Sequence, residues 1–200
     1  MKKSLGVALL VGGTAYLVVA GQRLRTWGTR GDEATRALAS EVLMPQPGAA
    51  LTHAITINAH ADQVWPWIAQ LGQDKGGFYS YAWLENLGGA EIVNADHIEP
   101  AWQDPQAGGQ LKLHPNVGLP IARVVPGELF VVVKPVVLGV GFQWIFMVIP
   151  EGAGQTRLLV RERYVVPWAP ARLVAKVVVC GSAVMSRKML LGIRDRAERR

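Results

Sequence analysis

The sequence predicts an α+β fold: a strongly curved antiparallel sheet of about seven strands, two short helices after the first strand, and one long C-terminal helix. Three observations predict it. Apolar and polar residues alternate in LTHAITIN (51–58), as in a half-buried strand, and the period then lengthens to helical spacing over two short stretches. Six more strand-like segments follow, separated by turns rich in Gly and Pro. The last element, from about Arg172 to Arg199, returns to helical spacing and ends in basic turns, as the helix dipole prefers. A helix with one apolar stripe must bury it, and the concave face of the sheet is the surface available. A sheet curved around a single helix leaves an apolar space between them, suited to a small hydrophobic ligand.

The chain opens with Met1-Lys2-Lys3 and then SLGVALLVGGTAYLVVAGQ (4–22), 19 residues without a charge. At about 1.5 Å per residue, a helix of that length is close to the hydrocarbon thickness of a bilayer. Arg23, Arg25 and Arg30 follow directly. We read residues 1–27 as an N-terminal membrane anchor with basic flanks, with the arginines favouring a cytoplasmic domain. The alternative is a cleaved signal peptide, with Val18-Val19-Ala20 as the cleavage site, and an exported domain. Residues 28–50, polar and then punctuated by Pro and Gly, read as a linker, and 51–200 as the folded domain.

Within the domain, Val64, Trp65, Ile68 and Leu71 place an amphipathic helix over 61–72, ended by Gly72 and disturbed by Pro66. A second short helix spans 81–87, with Ser80 as N-cap, Trp83, Leu84 and Leu87 on one side, and Gly88-Gly89 as stop. The strands expected after it are 90–98, 109–114, 119–126, 128–134, 141–149 and 155–166. In the last helix, Leu173, Val177, Cys180, Val184 and Leu191 mark the apolar stripe.

Composition removes several function classes. One cysteine excludes an internal disulfide framework and a Cys-based zinc site, and Cys180 lies in an apolar run, as a buried inert thiol would. Net charge is +6, but residues 1–36 and 172–200 hold 14 of the 21 Lys and Arg against four acids. The middle, 37–171, holds seven basic and eleven acidic residues, so the body is mildly acidic and the ends are basic. That distribution suits an anionic membrane surface rather than nucleic acid. His53, His60, His97 and His114 lack metal-ligand spacing, and the chain carries no phosphate-loop, dinucleotide or nucleophile-elbow motif. No metal and no cofactor are expected.

The element order, together with AITINAHADQVWPWIAQLGQDKGGFYSYAWLENL (54–87), NADHIEPAWQ (94–103) and RKMLLGIRDRAE (187–198), resembles the SRPBCC/START-like superfamily. That superfamily has the helix-grip fold and includes polyketide cyclase/dehydrase-like proteins; the nearest likeness is to a bacterial, membrane-anchored subgroup. The resemblance covers roughly 28–200 and implies a fold and a cavity, not one reaction, since its members include carriers, binders and cyclases.

The stretch GGFYSYAWLENLGG (76–89) sets Phe78, Tyr79, Tyr81 and Trp83 between glycine pairs. Tyr79, Tyr81 and Trp83 have apolar bodies and polar tips, which suit a pocket mouth, a plugged core end or a membrane contact. Asn94 and Asp96 share a face if 90–98 is a strand and could hold a ligand's polar group, or they satisfy loop backbone instead. Leu158, Val160, Glu162 and Tyr164 share one face of their strand, and Arg157, Leu159, Arg161 and Arg163 the other. If the first face is concave, Glu162 is a carboxylate in an apolar pocket with a raised pKa; if not, it is a rim residue among arginines. Trp102, Trp144, Met185 and Met189 complete the candidate ligand lining. The main expectation is a membrane-tethered binding or carrier domain for a hydrophobic small molecule or lipid. A cyclase- or dehydratase-like enzyme would use Glu162, Asp96 or His114. A ligand-free membrane interaction module would have a filled core.

Overall fold

The computed structural model describes residues 21–44, 48–137, 140–165 and 169–199. The expected anchor at 4–22 lies outside these residues apart from its last two positions, which are helical. Among the described residues no helix is long and apolar enough to cross a membrane.

Six strands form one antiparallel sheet: β1 (Ala49–Ile57), β2 (Gln110–His114), β3 (Val117–Val125), β4 (Leu129–Val137), β5 (Val140–Gly152) and β6 (Gln155–Val165). Their order is β1-β6-β5-β4-β3-β2, a meander whose last strand returns to pair with the first. Two short helices, α1 (Ala61–Ala69) and α2 (Ala82–Asn86), follow β1, and the long α3 (Ala169–Ala197) closes the chain against the sheet. This is the helix-grip arrangement. The turns fall where the glycines require them: Gly127 at φ 80° between β3 and β4, and Gly152 and Gly154 at φ 78° and 75° between β5 and β6.

The sheet has six strands and not seven, because residues 90–98 form a loop. Alternating Ala90 and Ile92 imitate a strand, and both are buried. However, the Asn86 side chain takes the place of a neighbouring strand, accepting from Ile92 N at 2.6 Å and donating to Ile92 O at 3.0 Å. Glu91 at φ 54° breaks the extended run. The fully buried Gln70 pins the loop further on, donating to His97 O and accepting from Glu99 N and Gln103 Nε2.

The concave face carries the main core: Ile55, Ile57, Phe130, Val132, Phe146, Leu158 and Val160 meet α1 and the C-terminal half of α3. On α3 the buried positions include Val179, Ala183, Ser186, Met189, Leu190 and Ile193, whereas Val178, Cys180 and Val184 face solvent. The stripe is thus turned from the expected one, and Cys180 is an exposed thiol. Two serines, Ser182 and Ser186, occupy the sheet-facing side, so an apolar count alone picks the wrong face.

The convex face is covered too. Residues 28–44 lie packed across it: Leu38 and Met44 bury against Val131, Val133, Ile145 and Leu159. Glu33 and Glu41 pair with the nearly buried Arg157 and Arg161.

At the opposite end, Gly192 of α3 meets the loop after α1 so closely that a Cβ there would lie 2.2 Å from Tyr79 O and 2.9 Å from Tyr79 Cβ. Both elements would have to part. Gly192→Ala is therefore expected to destabilise the fold by about 3 kcal/mol, lowering the melting temperature by roughly 6–12 °C in a chain of this size. A thermal melt of the variant measures it.

Candidate functional site

Between the concave face and α3 lies a cavity of about 480 Å³, within the range of small-molecule sites. Its walls are largely apolar and aromatic, with Phe78, Leu113, Phe142, Trp144, Met185 and Met189 prominent. Phe142, Trp144 and Tyr164 form a connected aromatic wall, with ring centroids 6.1 Å apart for Phe142–Trp144 and 5.0 Å for Phe142–Tyr164.

Glu162 stands in this wall, with Trp144 as its β5 partner and Leu51 as its β1 partner. Glu162 is 1% exposed. Three hydroxyls donate to its carboxylate: Tyr164 and Ser182 to Oε2, and Ser186 to Oε1. Ser182 and Ser186 are one helical turn apart on α3, so strand and helix meet at this group. Burial pushes the Glu162 pKa above the usual carboxylate range, and the three hydroxyl bonds only partly offset it. Burial and the neighbouring carboxylate also push the Tyr164 phenol upward.

A second carboxylate, which the sequence pattern did not single out, lines the same cavity. Glu85 of α2 accepts from Ser80 Oγ through Oε1, while its buried Oε2 has no hydrogen-bond partner among the described residues. Burial raises its pKa as well. The helical pattern sets Trp83, Leu84 and Leu87 on one side, and that side faces solvent, at 67%, 41% and 76% exposure. In a helix of five residues the Ser80–Glu85 bond orients α2 more firmly than an apolar face does. Ser80 is not the N-cap expected of it; Tyr81 holds that position. Among the described residues Trp144 Nε1 is the other buried polar atom in the cavity wall without a partner.

The remaining candidates sort as follows. Met185 and Met189 line the cavity. Tyr79 does not: it is 1% exposed, held at φ 55°, edge-on to Trp67 at 5.6 Å and under the Arg196 guanidinium at 4.8 Å. It is a core residue. Asn94 holds the loop, accepting from Phe78 N and Tyr79 N and donating to Ser80 O. Asp96 and His97 pair with each other at 3.0 Å on the surface, where His97 holds the Asp96 carboxyl below its usual range. No strand exists there, so Asn94 and Asp96 share no strand face. Trp102 lies half-buried in a single 3-10 turn, Pro100–Trp102, and His114 accepts from Asn116 N; neither lines the cavity. Tyr81 borders a different cavity, lined also by Arg187 and Lys188, and Trp83 faces solvent.

No family model matches the chain, and no curated protein does. Solved structures do. The protein CV1439 from Chromobacterium violaceum is 11% identical, with a TM-score of 0.43 over 76% of this chain and 98% of that one. The Polyketide_cyc-like protein Cgl2372 from Corynebacterium glutamicum is 14% identical, with a TM-score of 0.41 over 76% and 91%. The di-domain ARO/CYC BexL from the BE-7585A biosynthetic pathway is 15% identical, with a TM-score of 0.43. There 75% of this chain matches 46% of the other, so the chain spans about half of that protein. The likeness is one of fold alone, and the helix-grip arrangement of this chain rests on its own element order and strand order.

Proposed function

We propose that the chain binds a largely apolar small molecule or lipid in the cavity between sheet and α3, and does so at a membrane surface. The observation that carries this reading is the cavity itself, about 480 Å³, aromatic, and furnished with two buried polar atoms that lack partners among the described residues. Such orphans are rare in folded proteins because each costs the desolvation of its group. Trp144 Nε1–H is a donor and Glu85 Oε2 an acceptor, so the complementary ligand carries an acceptor and a hydroxyl or ammonium donor on an apolar body. Among the described residues no Lys, Arg or His lines this cavity, and two carboxylates do, so an anionic head is disfavoured. A filled-core interaction module, by contrast, would leave far less space.

The membrane part of the proposal rests on three features. They are the uncharged run at 4–22, the basic ends, and the exposed Trp83, Leu84, Leu87 and Val93 beside the residues that line the cavity. An exposed apolar lip next to a cavity lets a ligand pass from bilayer to protein without crossing water.

Three probes with one aromatic body test the reading: 2-naphthylethanol, 2-naphthylethylamine and naphthylacetate, titrated calorimetrically into the full chain in a neutral maltoside. The alcohol and the amine are expected to bind, and the acid at least about tenfold more weakly, as one unfavourable buried charge dictates. Binding of none of the three, with no apolar compound extracted from the purified chain, would overturn the proposal. Two carboxylates with raised pKa values also favour a second reading, acid–base catalysis of the cyclase or dehydratase type with Glu162 or Glu85 as the acid. Chemical change of a bound ligand, lost in Glu162→Gln, would select that reading.

A further inference from the structure

A second cavity, of about 430 Å³, lies on the other side of α3 between that helix and residues 23–27. Its chemistry is opposite to that of the first. Arg23, Arg187 and Lys188 line it, and no acidic residue does. Among the described residues none of these three cations takes part in an ion pair, and the segments 1–20, 45–47, 138–139 and 166–168 contain no Asp or Glu to supply one. Two of the cations are instead placed by aromatic rings: Arg187 stacks over Trp27 at 5.1 Å, and Lys188 over Tyr81 at 5.8 Å. Like charges gathered without counter-ions raise one another's energy unless an anion joins them.

His53 supplies an independent sign of a ligand. It is fully buried, its Nε2 hydrogen-bonds Leu24 O at 2.6 Å, and its Nδ1 has no partner among the described residues. With Nε2–H donating to the carbonyl, Nδ1 is an acceptor in the neutral ring and a donor once protonated. A buried orphan nitrogen beside three uncompensated cations is otherwise a pure cost. The rest of the lining is apolar, and Leu24 and Val184 are 43% and 47% exposed. The cavity therefore offers cations to a head group and an open apolar edge to a tail. It also begins at Arg23, the first charge after the uncharged run.

We infer that this second cavity is a binding site for the phosphate of an anionic amphiphile, with the phosphate held by Arg23, Arg187 and Lys188 and the tail lying along Leu24, Val184 and Leu191. Arginine matches phosphate oxygens in pairs and lysine adds a point charge, the combination that phosphate recognition uses elsewhere. The site shares α3 with the apolar cavity but not its lining, so it stands or falls separately from the ligand proposed there.

Dihexanoyl phosphatidylglycerol and dihexanoyl phosphatidylcholine, both below their micellar concentrations, would be titrated into the full chain by calorimetry, alongside glycerol phosphate and inorganic phosphate. Protection of Lys188 from acetylation, followed by peptide mass spectrometry, gives a local readout. The anionic lipid is expected to bind at least about tenfold more tightly than the zwitterionic one, and to protect Lys188, since each charge-assisted contact contributes on the order of tenfold. Arg187→Gln and Lys188→Gln are each expected to weaken it by about tenfold, and Arg187→Lys by less. Uptake of naphthylethanol in the other cavity checks that the variants remain folded. Glycerol phosphate binding as tightly as the lipid would support a phosphate site that reads the head alone; much weaker binding would support the lipid. Equal affinity for both lipids, or unchanged affinity in both glutamine variants, would overturn the inference.

Discussion

A chain beginning at residue 45 is expected to be recovered as aggregate, and one beginning at residue 21 as folded protein. The polar composition of 28–50 reads as a linker, but residues 28–44 supply many of the acceptors for the convex-face side chains. Arg157 and Arg161 are 3% and 5% exposed at their side chains, and their acceptors come from this segment. Arg157 donates to both carboxylate oxygens of Glu33 and to Gly28 O. Arg161 donates to Glu41, Arg36 O and Glu33 O, Arg163 to Glu41 O, and Gln143 to Ser40 O at 2.7 Å. Without the segment, Val131, Val133, Ile145 and Leu159 become an exposed apolar patch on a sheet, which invites association. Within the intact chain, Glu41→Ala is expected to cost about 3 kcal/mol, because it leaves the guanidiniums of Arg161 and Arg163 buried without a counter-ion. Adding Arg161→Met to it is expected to recover part of that loss. Acid should have a related effect. Arg157 holds the Glu33 pKa below the ordinary carboxylate value of 4.5, so its contribution is present above that value and is lost as pH falls through the folded-state pKa. Sedimentation and urea melts of the two truncations and the point variants measure all of this; a soluble, cooperative 45–200 fragment would refute the account.

The same convex face shows what sequence can and cannot give. Period-two alternation assigns Glu162 and Arg161 to opposite faces of β6 with certainty, yet it does not say which face is concave, since either is compatible with the spacing. The answer lies in partners far along the chain: Ser182 and Ser186 for Glu162, Glu33 and Glu41 for the arginines. The run of strands along the chain, the helix after the first strand, the turn glycines and the long terminal helix were legible because each follows from local period or backbone freedom. Residues 90–98 were misread because the Asn86 side chain satisfies backbone that alternation assigns to a neighbouring strand. Glu85 was invisible because α2 is too short for its apolar face to orient it. Trp144, Met185 and Met189 were legible as lining, while Tyr79, with the same amphipathic chemistry, is locked into the core by Gly192 and Arg196.

Glu162→Gln is expected to stabilise the protein at neutral pH while weakening ligand binding by about tenfold or more, a pairing that a purely structural residue would not give. Buried at 1% exposure, the carboxylate costs the native state the desolvation of a charge, which three hydroxyl bonds only partly return. Glutamine keeps the shape. Its carbonyl accepts from two of the hydroxyls, and the third can rotate to accept from the amide N–H. Removing the charge is expected to gain about 1 kcal/mol at pH 7, following the general result that buried ionic groups are costly relative to neutral replacements. The pH dependence gives the sign. Because the folded pKa is raised, the native state keeps its proton longer than the unfolded chain. The wild type is therefore at full stability below the ordinary carboxylate value of 4.5 and loses stability as pH rises from there through the folded value. The variant is expected to lose less over that window; Glu85, whose pKa is shifted in the same direction, still lowers stability as pH rises, while His53, whose pKa burial lowers, acts the opposite way. Urea melts from pH 4.5 to 9, run beside naphthylethylamine titrations, separate the two effects. A variant that is less stable than wild type at pH 7 and binds the amine unchanged would make Glu162 a structural hydrogen-bond hub. The opposite result would mean that the fold retains a destabilising charge where β6 and α3 meet at the cavity, for the use of a ligand.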